Sequence, residues 1–278
     1  MSPFTGSAAR TSDWEHLRVS LADGVATVTL ARPDRLNALT FGGYADLRDL
    51  LAELSRERAV RALVLAGEGR GFCSGADLVS AGRAPGVEGL RPPSVARRMM
   101  RLLEDVVTTM RELHQPVIGA INGAAIGGGF CLSLACDIRI ASTEAYFRAA
   151  GVNNGLTASE LGLSWLLPRA IGTSRASEIM LTGRDVDAVE AERIGLVSSV
   201  VDPAELLSTC YAMADRIASY SHVGVQMTKQ TLRSGQEASF SSQMEHEGLG
   251  QLYVRLLTKN FDEAILARRE QRPPIFED

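Results

Sequence analysis

The chain has 278 residues, of which 45% are hydrophobic and 22% are charged, so it can form one large domain with a sizeable core. The 29 basic and 33 acidic side chains give a net charge of −4. This balance excludes a surface drawn as a whole to nucleic acid or to anionic lipid. The four cysteines lack zinc-site spacing and no secretory leader precedes them, which predicts a cytoplasmic protein.

In chain order, the sequence first predicts strands alternating with helices and then helices alone. Residues 1–13 are predicted to be disordered. Alternating elements of this kind favour largely parallel strand pairing. The predicted strands are 16–21, 25–31, 61–66, 116–121 and 137–141, the helices are 40–57, 76–79 and 94–113, a mobile loop spans 81–93, and four further helices cover 203–219, 222–233, 239–257 and 260–270.

Residues 117–136 form the most membrane-like stretch, because Asn122 and Ser133 are its only polar side chains. The Asn122-Gly123 pair and the glycine triplet 127–129 would interrupt any continuous helix there. A lipid-facing loop is not tolerated inside a bilayer, so the stretch predicts a buried strand, a turn and a short helix. We therefore predict no membrane-spanning segment.

Several familiar catalytic motifs are excluded by their spacing. The third glycine of Gly67-x-Gly69-x-Gly71 comes one residue too early for a dinucleotide fingerprint. Ser74 is misplaced for the serine of a G-x-S-x-G nucleophile elbow. The four histidines are scattered without an H-x-x-x-H pair. The sequence therefore predicts no phosphate loop, serine triad or metal site.

Two glycine loops remain, and each follows a predicted buried strand and precedes a short predicted helix. One contains Gly75 before Ala76, and the other contains Gly127 before Gly128. Helix N-termini offer unpaired backbone N–H groups, and two of them side by side could hold one carbonyl oxygen as an oxyanion hole does. The spacing fits equally well two loops that merely turn the chain.

A set of ordered motifs resembles the crotonase (enoyl-CoA hydratase/isomerase) superfamily over about residues 14–276. Any one of these motifs is weak, but the ordered set is specific. They are Arg32-Pro33-x-x-x-Asn37-Ala38-Leu39, Phe72-Cys73-Ser74-Gly75-Ala76-Asp77-Leu78, Pro116-Val117-Ile118-Gly119-Ala120-Ile121-Asn122-Gly123, Gly127-Gly128-Gly129 and Cys136-Asp137-Ile138-Arg139-Ile140-Ala141, followed by Leu181-Thr182-Gly183-Arg184, Ala191-Glu192-Arg193-Ile194-Gly195-Leu196-Val197 and Met227-Thr228-Lys229.

The resemblance implies an α/β fold, a spiral of ββα turns with a C-terminal helical oligomerisation region. Residues 14–202 would form the acyl-CoA-binding core, and residues 203–278 would form homotrimers that can stack as hexamers. The implied substrate is an acyl-CoA thioester. No separate cofactor is implied, because coenzyme A is part of the substrate, and no nucleic acid or membrane partner is expected.

The resemblance also implies roles for individual residues. The backbone N–H groups of Ala76 and Gly128 would hold the thioester oxygen and stabilise an enolate. The remaining implied contacts follow the substrate. Ser74, Gly75, Asp77 and Leu78 would border the adenine and pantetheine path with Ala38 opposite, and Gly127, Cys131 and Gly151 would border the acyl group.

Cys131 and Gly151 depart from the family pattern, because they stand where hydratases of the family carry two glutamates. Hydration needs at least one positioned acid–base group, and neither residue is an equivalent. Cys131 fits a packed apolar thiol better than a reactive one. Glu160 aligns, with a one-residue gap, to an acidic residue of other family branches, and it could instead only complement a helix dipole. We therefore expect isomerisation or another proton shift, the alternative being a catalytically silent acyl-CoA-binding protein.

Overall fold

The structure is a computed structural model, and it describes residue 14 and residues 16–277. The segment 1–13, predicted to be disordered, lies outside the described residues. Within residues 16–277, none of the helices is both long and apolar enough to span a bilayer.

Ten strands form two sheets in the described part of the chain. The six-stranded sheet has the order β1-β2-β3-β5-β7-β10, and the four-stranded sheet has the order β4-β6-β8-β9. Pairing is parallel except for β1 with β2 and β8 with β9. The strands are β1 (Leu17–Ala22), β2 (Val25–Leu30), β3 (Ala62–Gly67), β4 (Gly71–Cys73), β5 (Val117–Ile121), β6 (Ala124–Ile126), β7 (Ile138–Ser142), β8 (Tyr146–Arg148), β9 (Asp185–Asp187) and β10 (Ser199–Val201).

Helices join successive strand pairs, so that the chain winds as a spiral. Each of the pairs β3–β4, β5–β6 and β7–β8 gives one strand to each sheet before a helix follows. The ββα spiral expected from the sequence is therefore confirmed. The helices are α1 (Phe41–Leu54), α2 (Pro92–Glu112), α3 (Gly128–Ala135), α4 (Leu163–Ile171), α5 (Thr173–Thr182), α6 (Ala188–Arg193), α7 (Leu206–Ala218), α8 (His222–Ser234), α9 (Phe240–Leu257) and α10 (Asn260–Glu270).

The first helix illustrates how the sequence fixes an element. The Thr40 hydroxyl caps α1 by accepting the N–H of Gly43 at 2.9 Å, which satisfies one of the helix's unpaired donors. The predicted leucine stripe faces the main core and is fully buried at Leu47, Leu50, Leu51 and Leu54. Burial of each such side chain contributes about 1.5–3 kcal/mol to folding.

The C-terminal helices begin within a residue or two of their predicted positions, except that residues 203–205 form a 3-10 turn before α7. Helix α8 is tied to the spiral by a buried ion pair, in which Lys229 Nζ lies 2.6 Å from Asp137. Burial lowers the pKa of Lys229 to about 8. Asp137 also accepts the N–H of Val117, so it joins the start of β7 to the start of β5.

The prediction of a helix over 76–79 is wrong. This segment has no helical turn, and Ala76 instead forms a parallel bridge with Leu39. The reason is that Asp77 binds the backbone N–H groups of Val79 and Ser80 with its side chain, which holds the chain in a turn instead. The neighbouring loop 81–93 is exposed for most of its length, but Ala84 and Val87 pack into the main core.

Candidate active site

The two glycine loops meet at their glycine residues. A methyl group built on Gly75 would lie 2.8 Å from the backbone nitrogen of Gly128. Gly75 has φ +87° and Gly127 has φ +52°, so both loops use a backbone conformation that favours glycine. The close approach brings the segment after β4 against the start of α3, as the sequence predicted.

Two backbone N–H groups at this junction are unused. Within residues 16–277, neither Ala76 nor Gly128 donates a hydrogen bond from its backbone nitrogen. The bridge to Leu39 uses the carbonyl of Gly75 and the N–H of Asp77, and so bypasses the N–H of Ala76. Gly128 is the first residue of α3, where no intrahelical acceptor exists. Both groups are therefore available to an oxygen atom of a ligand.

Asp77 holds the first loop in place. One carboxylate oxygen accepts the N–H of Ser80 at 2.7 Å and that of Val79 at 2.9 Å, and the other lies 2.7 Å from Arg32. These backbone N–H groups, followed by Arg32, lower the pKa of Asp77 to about 2. Arg32 also donates to the carbonyl of Ala38 at 3.1 Å, so the segment that precedes α1 is joined to the loop.

The other predicted substrate contacts follow the outer side of the same loop. Ser74 donates its hydroxyl to the carbonyl of Arg35 at 3.2 Å. Leu78 is 75% exposed, whereas Ala38 is buried. Leu78 is therefore an exposed apolar side chain next to the turn that Asp77 orders.

Glu160 lies beside the second loop. A methyl group built on Gly127 would be 3.3 Å from Glu160 Oε1. The side chain is half-buried, and loss of solvation raises the pKa of its carboxyl. Glu160 lies outside the first turn of α4, because Gly162 is the N-cap of that helix and Glu160 precedes it by two residues. A carboxyl whose pKa is raised is a stronger base than an exposed one, and so is better suited to accept a proton from a carbon atom.

The raised pKa of Glu160 predicts a stability effect with a definite sign. The folded state binds the proton of the Glu160 carboxyl more tightly than the unfolded state does. The resulting stabilisation of the folded protein is fully present below the ordinary pKa of about 4.3, and it is lost as pH rises through the raised pKa. We expect Glu160→Gln to raise Tm above that of the wild type at pH 7, with a gain that shrinks towards pH 4. Thermal unfolding at several pH values measures this, and an unchanged Tm at pH 7 would contradict the burial of the charge. Glu144→Gln is the control, since Glu144 is exposed.

Cys131 is fully buried in α3, and its thiol lies 3.5 Å from the carbonyl oxygen of Glu160, to which it donates. Burial, followed by the Glu160 charge, raises the pKa of the thiol well above its usual value. The group is therefore a neutral packed thiol, as the sequence indicated, rather than a nucleophile.

Gly151 is also buried, and it lies at the start of the loop that carries Glu160. A methyl group built on it would overlap with the carbonyl of Thr157, because the loop folds back over this position. The present backbone therefore accepts no side chain at residue 151.

The sequence reasoning missed Tyr44. Its side chain is buried in α1, and its hydroxyl would lie 2.7 Å from a methyl group built on Gly128. Burial, followed by Cys73, Cys131 and Glu160, raises the pKa of the phenol. Tyr44 lies one turn before Leu47 and two turns before Leu51, so helical periodicity gave it the appearance of an ordinary core residue. Among residues 16–277, no group of three or more His, Cys, Asp and Glu side chains could hold a metal ion.

Comparison with known proteins agrees with this fold. The family model for enoyl-CoA hydratase/isomerase matches residues 20–278. A probable enoyl-CoA hydratase of Mycobacterium bovis is 61% identical over 255 residues, which cover 91% of this chain and 90% of that protein. The chain therefore belongs to the enoyl-CoA hydratase/isomerase (crotonase) family, and its relatives are enzymes.

Two solved structures share the fold. The crystal structure of a probable enoyl-CoA hydratase/isomerase from Mycobacterium abscessus has 58% identity and a TM-score of 0.90, over 95% of this chain and 99% of that one. The structure of a monofunctional enoyl-CoA isomerase from M. smegmatis has 52% identity and a TM-score of 0.70, over 82% of this chain and 98% of that one. The names of these similar proteins therefore include both hydratase and isomerase.

Proposed function

We propose that this protein is an acyl-CoA isomerase that shifts a proton, and with it a double bond, along the acyl chain of a coenzyme A thioester. The observation that carries the proposal is the meeting of two unused N–H groups, those of Ala76 and Gly128, with the carboxyl of Glu160. The thioester binds across both glycine loops, with its nucleotide and pantetheine parts along residues 74–78. Coenzyme A is part of the substrate, and no separate cofactor is required.

The two N–H groups donate hydrogen bonds to the thioester oxygen and stabilise the negative charge that develops on it. Glu160, in its ionised form, removes a proton from one carbon of the acyl chain, and the electron pair moves into the conjugated enolate. The same carboxyl then returns the proton to another carbon, so that no atom is gained or lost. Its raised pKa suits this exchange, because a more basic carboxylate takes up the substrate proton more readily.

Hydration fits this site less well, because it adds a proton to one carbon and hydroxide to the next. Cys131 and Gly151, at the two positions where hydratases of the family carry glutamate, offer no acid or base. A catalytically silent acyl-CoA-binding protein is the second candidate, favoured by the same two residues.

Incubation with crotonyl-CoA and with 2,5- and 3,5-dienoyl-CoA separates these functions. We expect conversion of a dienoyl thioester and weak or absent hydration of crotonyl-CoA. Chromatography of the products measures both reactions. Robust hydration would contradict the isomerase proposal, whereas tight binding of every thioester without turnover would favour the silent binder.

We also propose that the protein forms a homotrimer through the helices after residue 203, and that two trimers can stack as a hexamer. We propose the cytoplasm as its location. Large apolar side chains are exposed on α9, among them Phe240, Leu249, Leu252, Leu256 and Leu257. A cavity of about 1190 Å³ lies between α8–α9 and the ends of α3 and α4, away from the glycine loops. A second subunit covering these surfaces would remove their apolar area from water. All four cysteines are free and buried, which is compatible with a reducing compartment.

Light scattering tests the assembly. We expect a mass of about three or six times the 29.8 kDa of one chain. A monomer at micromolar concentration would contradict this proposal without affecting the assignment of the site.

A further inference from the structure

Tyr44 is a polar group in the candidate active site that the proposed proton transfer does not use. Its side chain is 1% exposed, and its hydroxyl has no hydrogen-bond partner among the residues that the structure describes. Buried hydroxyl groups are normally paired, because an unpaired one has lost its hydration without compensation. The position of this hydroxyl therefore needs an explanation.

The hydroxyl is aimed at the second glycine loop, at the turn beside which Glu160 lies. A methyl group on Gly128 would lie 2.7 Å from the Tyr44 hydroxyl, and one on Gly127 would lie 3.3 Å from Glu160 Oε1. Gly127 therefore borders the Glu160 carboxylate, and the next residue, Gly128, borders the Tyr44 hydroxyl. The ionised Glu160 is also close enough to contribute to the raised pKa of Tyr44, after burial and the two cysteines.

Three titratable side chains act on Tyr44, those of Cys73, Cys131 and Glu160, and one of them is a strong acceptor for its proton. The Cys73 sulfur accepts the N–H of Gly75, and its thiol donates to the carbonyl of Asn37. The Cys131 thiol donates to the carbonyl of Glu160. Both cysteines are buried and neutral, and a sulfur atom is a weak acceptor. The Glu160 carboxylate is the charged acceptor in this group, and an O–H···O⁻ hydrogen bond is among the strongest that a protein forms.

We infer that Tyr44 is a positioning residue for Glu160, and that its hydroxyl donates a hydrogen bond to the Glu160 carboxylate when an acyl-CoA thioester fills the site. The inference rests on the proposed role of Glu160 as the proton carrier. Hydrogen bonds between catalytic groups are often long in an empty site and shorten when the ligand is bound. The acyl chain removes the remaining water from Glu160, and the Tyr44 hydroxyl then replaces that solvation and fixes the direction of the carboxylate.

The test is Tyr44→Phe, which keeps the ring and removes the hydroxyl. With the best thioester substrate, we expect kcat at neutral pH to fall by about 10-fold to 100-fold, the range for losing a hydrogen bond to a charged group. KM should change little. The acidic limb of the kcat–pH profile should move to higher pH, because the hydroxyl favours the ionised carboxylate. Tyr211→Phe is the matched control. Tyr211 lies on α7, and its hydroxyl accepts a hydrogen bond from Thr27 of β2 at 3.4 Å.

A purely structural role for Tyr44 predicts a different pattern. It would lower kcat by the same factor at every pH, and it would lower turnover further in the double variant Tyr44→Phe, Glu160→Gln. We expect the double variant to be no slower than Glu160→Gln alone, because the hydrogen bond needs the carboxylate. Additive losses, or an unmoved acidic limb, would overturn the inference while leaving the role of Glu160 intact. Full activity of Glu160→Gln would instead overturn the proposed function and remove the acceptor on which the inference depends.

A measurement without turnover completes the test. The Glu160 carboxyl can be titrated by its infrared band, obtained as the difference between wild type and Glu160→Gln, with acetoacetyl-CoA bound. We expect Tyr44→Phe to raise the titration midpoint in this complex. An identical midpoint in the two proteins would overturn the inference, whether or not a substrate for the enzyme has been found.

Discussion

Replacing Glu160 by glutamine is expected to reduce isomerase turnover by about 100-fold or more, which is the usual effect of losing a general acid–base group. The amide keeps the shape of the side chain beside Gly127 but cannot take a proton from the substrate. Because the proposed contacts with coenzyme A involve other residues, KM should remain close to that of the wild type. Steady-state kinetics with the dienoyl thioesters measure both parameters.

Glu144→Gln is the matched control for this experiment. Glu144 is an exposed carboxylate in the loop between β7 and β8, so its replacement changes net charge equally without touching the site. We expect wild-type turnover for this variant. Undiminished turnover in Glu160→Gln would show that another group carries the proton, and the isomerase proposal would fail with it.

Replacing Gly128 by proline should lower kcat by roughly 100-fold to 1000-fold, because one donor to the thioester oxygen is removed. Proline lacks the N–H that Gly128 leaves unused at the start of α3, although the first position of a helix otherwise accepts it. Kinetics on the purified variant, with circular dichroism to confirm folding, would measure the loss.

Gly128→Ala separates the lost donor from simple crowding. Alanine keeps the N–H but places its methyl group 2.7 Å from the Tyr44 hydroxyl, so it carries much of the same steric change. We expect proline to be at least 10-fold slower than alanine, which retains the donor. Equal activity in the two variants would mean that the N–H of Gly128 does not bind the thioester oxygen.

The fold could be predicted from the sequence wherever periodicity extended over many residues. Helices α1, α2 and α7–α9 carry caps or apolar stripes, and the buried runs of β3 and β5 are long enough to identify. The three-residue strands β4, β6 and β8 were missed because so short a segment has no measurable period. The helix predicted over 76–79 failed because the backbone N–H groups of Val79 and Ser80 donate to the Asp77 side chain instead of pairing within a helix.

The candidate site was predictable where it depends on the backbone and less so where it depends on packing. Gly75, Ala76 and Gly128 follow from ordered motifs, and the structure brings their loops together. Tyr44 could not be identified, because a tyrosine on an apolar helical stripe gives no signal of which group its hydroxyl faces. That information arises only when α1 packs against α3.

The loop that folds over Gly151 has a consequence for how the reaction of this enzyme could be changed. Inserting a glutamate at residue 151 would drive its side chain into the carbonyl of Thr157, so a single substitution cannot install the second carboxyl of a hydratase. A redesign would have to exchange the whole segment from 151 to 162, and in doing so it would displace Glu160. Gain of hydration and loss of isomerisation are therefore coupled through the path of the main chain. Sequences intermediate between the two are expected to catalyse neither reaction.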